Sequence, residues 1–369
     1  MSVPLIRDPL TEIHRDSEFQ NLIEKRLPEL ATLEKLIRSL DGKARAYIEA
    51  TVRHEGKEFP IYSIVIGTED KSAPTLGVFA GVHGLERIGS EVTNAWLQTI
   101  SELLIWDKEF QRRLERSRLV FMPIVNPVGM FLTRRSNGNG VDLMRNSPVI
   151  SDEKTLFLIG GHRISNFLPY YRGPVVDADT MEVESKALCA LVEREIFPSH
   201  LSLTVDVHSG FGSVDRLWFP YARTRKPPPL LAEMVALKRV FDRSYPNHFY
   251  QIEPQSAQYT THGDLWDWLF DRKLQERPGE VYIPWTLEMG SWIWLKKNPR
   301  QLFSSLGAFN PILPHRLRRI LRRHLTLFDF LHRSILSPEP WTNLSEDERE
   351  RLLKKAKETW YERSEEKSS

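Results

Sequence analysis

LGVFAGVHGLE, residues 76–86, is the stretch whose reading decides the fold. Residues 76–82 are apolar or glycine with no polar alternation, the pattern of a short strand covered on both faces. The run passes directly into a histidine and a glutamate three residues apart, and a helix follows at about 89–105. Two further apolar runs, 119–125 and 201–207, are separated by a Gly/Asn-rich loop at 136–140 and a helix near 182–196. A last strand candidate spans 281–287. Strands interleaved with helices predict an α/β fold with a mixed, largely parallel twisted sheet and helices on both faces. The residues with chemical potential stand where those strands end.

Toward the N-terminus, apolar residues at spacings of three and four over 19–40 predict an amphipathic helical segment broken near Pro28. Runs at 46–53 and 59–66 flank Glu55-Gly56-Lys57 and read as a hairpin, with Pro60 favouring an edge position. Beyond the last strand, 227–229 opens another helix, and 314–335 reads as one basic helix carrying Arg316, Arg318, Arg319, Arg322 and Arg323. Its apolar stripe and the acidic tail from Glu346 favour a solvated face over a nucleic-acid surface. Residues 345–369 read as a peripheral or frayed helix. The resulting division is an N-terminal helical extension at 1–41, a main α/β domain at 42–338 and a charged tail at 339–369.

The 369 residues carry 51 Lys+Arg against 49 Asp+Glu, and a net charge of +2 excludes a charge-driven partner. No apolar run approaches the ~18 residues of a membrane span. The first residues, MSVPLIRDPLTEIHRD, mix charges and prolines where a secretory signal needs a continuous apolar core. Cys189 is the one cysteine, so no intrachain disulfide can form, which fits a reducing compartment. The expectation is a cytoplasmic protein with no membrane or nucleic-acid partner; oligomeric state is not legible.

His83 and Glu86 emerge together at a strand end, with Gly81 and Gly84 expected to let backbone approach a bound ion. A catalytic zinc site needs three protein ligands and an open position, and two histidines with one glutamate form such a set. His208, in VDVHSG, ends the run at 201–207 and is either the third ligand or a hydrogen-bonded core histidine. Glu288, in TLEMG, closes the last strand and is either a general base or a cap or salt-bridge partner. His54, His162, His200 and His315 lack this context and are expected at the surface.

In order, HGLE (83–86), RSNGNGVDLMRN (135–146), VDVHSG (205–210), YTTHGDLWDW (259–268) and TLEMG (286–290) resemble the zinc carboxypeptidase family. The separations, 208 − 83 = 125 and 288 − 86 = 202, fall near that family's pattern. The R-x-N-x-x-G-V-D-L loop is similar to bacterial cytoplasmic members and murein-peptide amidases. The resemblance implies that His83, Glu86 and His208 hold Zn2+ and that Glu288 is general base and acid. It implies that Arg135, or the adjacent Arg134, stabilises the oxyanion, and that Asp142 orients His83. Arg145 and Tyr259 would bind substrate, and Trp266 would lie at the bottom of the specificity pocket. The family places asparagine before that arginine; Met144 stands there, and losing the donor weakens terminal-carboxylate recognition by roughly 1–3 kcal/mol.

The leading expectation is a zinc metallopeptidase or amidase acting on a peptide or small amide. A second is an N-acyl amino acid deacylase similar to aspartoacylase or succinylglutamate desuccinylase, a branch without the tyrosine present here. A third is a noncatalytic peptide-binding relative, against which the retained ligands and Glu288 speak.

Overall fold

The computed structural model describes residues 10, 15–304 and 306–362. Among them, eight strands form one sheet: β1 (Arg45–His54), β2 (Lys57–Gly67), β3 (Thr75–Ala80), β4 (Arg118–Met122), β5 (Leu201–Ser209), β6 (Arg216–Phe219), β7 (Gln251–Pro254) and β8 (Val281–Met289). Their spatial order is β1-β2-β4-β3-β5-β8-β6-β7. The four central strands β4, β3, β5 and β8 run parallel, while the β1-β2 hairpin and β6 add antiparallel pairings. The expected mixed, mostly parallel sheet is therefore present. Every residue of β3 and β5 is buried whichever face it points to, which explains runs without alternation.

The helices are α1 (Ser17–Arg26), α2 (Pro28–Ser39), α3 (Arg87–Trp106), α4 (Lys108–Leu114), α5 (Pro127–Phe131), α6 (Val183–Glu195), α7 (Leu231–Ser244), α8 (Leu265–Glu276), α9 (Trp292–Lys297), α10 (Pro314–Arg323), α11 (Leu325–Leu336), α12 (Glu339–Thr342) and α13 (Glu346–Ala356). Helices α3 and α11 pack on β3 and β5, α6 on β1 and β2, and α8 on β8. Pro28 separates α1 from α2 by starting the second helix at a position that needs no amide donor. Ile23, Leu27, Leu30 and Leu33 of this pair are fully buried in the same core as the sheet. Among the described residues, no helix is long and apolar enough to cross a membrane.

Three expectations change. The single helix expected over 314–335 is two, meeting at His324, whose buried ring shares a 2.8 Å hydrogen bond with the Tyr250 hydroxyl. The terminal segment is not frayed as far as 362. Leu352, Ala356 and Tyr361 are buried, Trp360 meets Phe219 edge-on at 5.4 Å, and Arg349 pairs with Glu233 of α7 at 2.5 Å. His162 is buried rather than at the surface, its Nε2 donating to the Pro169 carbonyl at 2.8 Å. Strands β6 and β7, four residues each, were too short for their periodicity to stand out.

Candidate metal centre

Parallel pairing brings the C-terminal ends of β3, β5 and β8 side by side, the usual place for a site in an open α/β sheet. His83 lies just beyond β3, and Glu86 immediately precedes α3. His208 and Glu288 are register partners on β5 and β8. Gly81 adopts φ +68°, which a side chain resists. A Cβ on Gly84 would fall 2.1 Å from the Gly129 carbonyl carbon. That glycine is therefore required by backbone packing against α5, not by approach to an ion.

His83 Nδ1 lies 3.0 Å from Glu86 Oε1, and His208 Nδ1 lies 3.0 Å from Glu86 Oε2. Ligand atoms of the three buried residues all fall within 4.8 Å of one another. Tetrahedral coordination at about 2.0–2.1 Å sets donors about 3.3 Å apart, so this spacing and this donor set fit zinc. The Ser209 amide donates to Glu86 Oε2 at 2.9 Å and fixes the carboxylate. Behind His83, Asp142 Oδ1 sits 3.1 Å from Nε2, leaving Nδ1 to face Glu86. Burial would raise the Asp142 carboxyl, but Arg135 and then His83 outweigh it and hold it well below the usual carboxylate range.

Arg135 spans this arrangement. Its Nε donates to Asp142 Oδ2 at 2.9 Å, its Nη1 to Glu86 Oε1 at 3.3 Å, and its guanidinium lies 4.6 Å from the Tyr170 ring centre. Arg134 is exposed and lines a neighbouring groove with Asn139 and Asn166, whereas Arg135 also lines the cavity holding the triad. Glu288 is 7% exposed in that cavity and accepts the Phe211 amide at 2.9 Å. Burial, and then the Glu86 charge, push its carboxyl up to about 8, against smaller opposite pulls from His208, the Phe211 amide and Arg135.

The cavity, about 280 Å³, also receives Met144, Arg145 and Tyr259. Arg145 is 3% exposed; Nη2 reaches the Ile159 carbonyl at 3.5 Å, and its buried Nε makes no hydrogen bond. Its backbone is clamped, since Arg172 Nε donates to the Arg145 carbonyl at 3.2 Å and Gly263 leaves no room for a Cβ. The Tyr259 ring packs 5.6 Å from Phe211 and 6.1 Å from Trp218. Trp266 corrects an expectation: it does not line the cavity. It is 3% exposed, packs edge-on against Phe79 at 5.0 Å, and gives its Nε1 hydrogen to Asp206 Oδ2 at 2.8 Å.

Sequence reasoning missed several residues here. Tyr170, Gln255, Trp218 and Trp292 line the cavity from a loop, a single 3-10 turn, a four-residue strand and the start of the short helix α9, all too short for periodicity to carry a signal. Asn310 is another, its Nδ2 donating to the Leu85 carbonyl at 2.7 Å and its Oδ1 accepting the Ile88 amide at 2.9 Å. Asp206 was missed as well, although its place two residues before His208, on the same face of a strand, was a signal that could have found it.

Residues 17–290 match the model of the family described as zinc carboxypeptidase. Carboxypeptidase E of Caenorhabditis elegans is 28% identical over 139 residues, covering 34% of this chain and 27% of that protein. The match spans 27% and 19% of the length of the two curated relatives. The crystal structure of thrombin-activatable fibrinolysis inhibitor aligns with a TM-score of 0.63 at 18% identity, covering 83% of this chain and 72% of that one. Carboxypeptidase A from Helicoverpa armigera aligns at 0.51 and 18% identity, covering 80% and 71%. At such identities these two likenesses concern the fold. The family match covers most of the chain, and it includes a His83, Glu86 and His208 triad suited to zinc: this chain belongs to the zinc carboxypeptidase family.

Proposed function

We propose that the chain is a zinc-dependent hydrolase that removes the terminal residue of a peptide or small amide bearing a free carboxylate. One observation carries the reading: the triad, the Glu288 carboxylate and the buried Arg145 guanidinium open onto the same cavity. When bound, zinc supplies Lewis-acid polarisation and lowers the pKa of a water molecule. Glu288 takes a proton from the attacking water and delivers it to the leaving amine. Arg135, already oriented by Asp142 and Glu86, offsets negative charge developing on the carbonyl oxygen without reorganising. Arg145, with an Nε donor free, receives the substrate carboxylate in a two-point contact.

The cavity limits the substrate. At about 280 Å³ it lies near the lower edge of small-ligand sites, about 300–1,000 Å³, and suits one residue rather than a chain. Its wall is aromatic, with Phe211, Trp218, Tyr259 and Trp292, plus Gln255 and Thr286 as neutral polar groups. Its charged members are the triad acid, Glu288, Arg135 and Arg145, all assigned above. An uncharged terminal side chain, aromatic or polar, is therefore preferred. The proposal includes the cytoplasmic setting read from the arginine loop and the single cysteine.

The test is hydrolysis of three substrate sets by the zinc-loaded chain: peptides with a free C-terminus, the same peptides amidated, and N-acyl amino acids. Release of the terminal residue from the first set only supports the reading. Turnover of N-acyl amino acids without peptide cleavage replaces it with a deacylase, and turnover of nothing removes it.

A further inference from the structure

Both metal-ligand histidines are backed by a carboxylate, and the one behind His208 is built from residues with no role in the chemistry above. Asp206 and His208 are two apart on β5, so their side chains share a face of the strand. Asp206 is fully buried, and its Oδ2 lies 2.8 Å from His208 Nε2, an ion-pair contact set off the direction a hydrogen bond needs. The same oxygen accepts the Trp266 Nε1 hydrogen at 2.8 Å from the first turn of α8. Trp266 is itself held edge-on by Phe79 of β3. The line of contacts runs from α8 through Trp266 and Asp206 to the far side of the His208 ring, leaving Nδ1 turned to Glu86 at 3.0 Å.

We propose that Asp206 and Trp266 are positioning residues for His208 that set how tightly the chain holds zinc. The physical case is the tautomer and the ring angle. A carboxylate against Nε2 keeps the hydrogen on that nitrogen and presents the Nδ1 lone pair to the metal. Without it the ring is free to hold its hydrogen on Nδ1 or to rotate in its slot. Trp266 in turn removes one of the orientations open to Asp206, because a buried indole N–H left without an acceptor is costly. The pair repeats behind His208 what Asp142, steadied by Arg135, does behind His83. It also gives Trp266 a reason to be tryptophan although it never reaches the cavity.

The test is equilibrium zinc affinity, read by competition with a chromophoric chelator on the full chain, so it does not depend on any substrate. Asp206→Asn is expected to weaken zinc about 10- to 100-fold, comparable to Asp142→Asn as a benchmark. Trp266→Phe, which keeps the ring against Phe79 and loses only the N–H, is expected to weaken it about 3- to 10-fold. The melting temperature of each metal-free variant reports whether the fold is kept. Folded Asp206→Asn protein that binds zinc within twofold of the parent overturns the proposal. If Asp206→Asn does not fold, Trp266→Phe decides, and unchanged zinc affinity there overturns it equally.

Discussion

His208 and Glu288 face each other across the β5-β8 ladder as register partners. A metal ligand and the acid beside it are thus fixed by one set of backbone hydrogen bonds, with no loop between them to absorb error. A one-residue slip of β8 would turn Glu288 to the opposite face of the sheet.

Glu288→Gln keeps an acceptor for the Phe211 amide but loses the proton carrier. Steady-state kinetics on a free-carboxylate peptide should show kcat reduced by about 10²- to 10⁴-fold. Zinc content, measured on the same preparation, should stay stoichiometric. A variant as fast as the parent removes Glu288 from the proposed chemistry.

Arg145→Ala should raise KM for peptides with a free C-terminus, while their amidated counterparts, which offer no carboxylate, remain poor substrates of parent and variant alike. Met144 touches the same cavity and has no donor to share the load. Met144→Asn should improve kcat/KM on the free-carboxylate peptides by about 5- to 150-fold, the equivalent of roughly 1–3 kcal/mol. Equal effects on free and amidated substrates would show that Arg145 contacts something other than a carboxylate.

Gly84→Ala places a methyl 2.1 Å from the Gly129 carbonyl carbon, and neither side of that contact is a flexible side-chain end. The variant should lose about 1–3 kcal/mol of stability in urea unfolding and bind zinc less tightly, because the loop between His83 and Glu86 must shift. Unchanged stability would mean that α5 yields more readily than its packing indicates.

Burial holds His324 and His332 down to about 3, with nearby Arg323 and Arg113 adding to the effect. Both folded-state values lie below the unfolded value near 6.5, so below that pH the unfolded chain takes up protons that the native rings refuse. The stabilisation is complete above about pH 6.5 and is lost as pH falls toward 3, at about 1.4 kcal/mol per unit for each ring. Urea unfolding from pH 7.5 to 4.5 checks this, and replacing either histidine with glutamine should flatten the slope.

Much of the site was legible because the evidence for it is local. Strands β3, β5 and β8 announce themselves as apolar runs covered on both faces, and their parallel pairing puts His83, His208 and Glu288 at one sheet end. Arg134 and Arg135 show the opposite situation. They are neighbours in sequence, and only the turn of the backbone decides that Arg135 faces the cavity while Arg134 lines another groove.

By itself, then, the sequence determined the strand and helix alternation and the candidate residues at the strand ends, while the ligand set and the acid beside it came from the ordered motifs that resemble the zinc carboxypeptidase family. The tertiary structure alone decided where Trp266 points and what Asp206 supports. Those two residues stand 60 positions apart, and their hydrogen bond exists because α8 packs its first turn against the central strands. Contacts between such distant positions depend on how the elements pack, and periodicity along the chain carries no record of them.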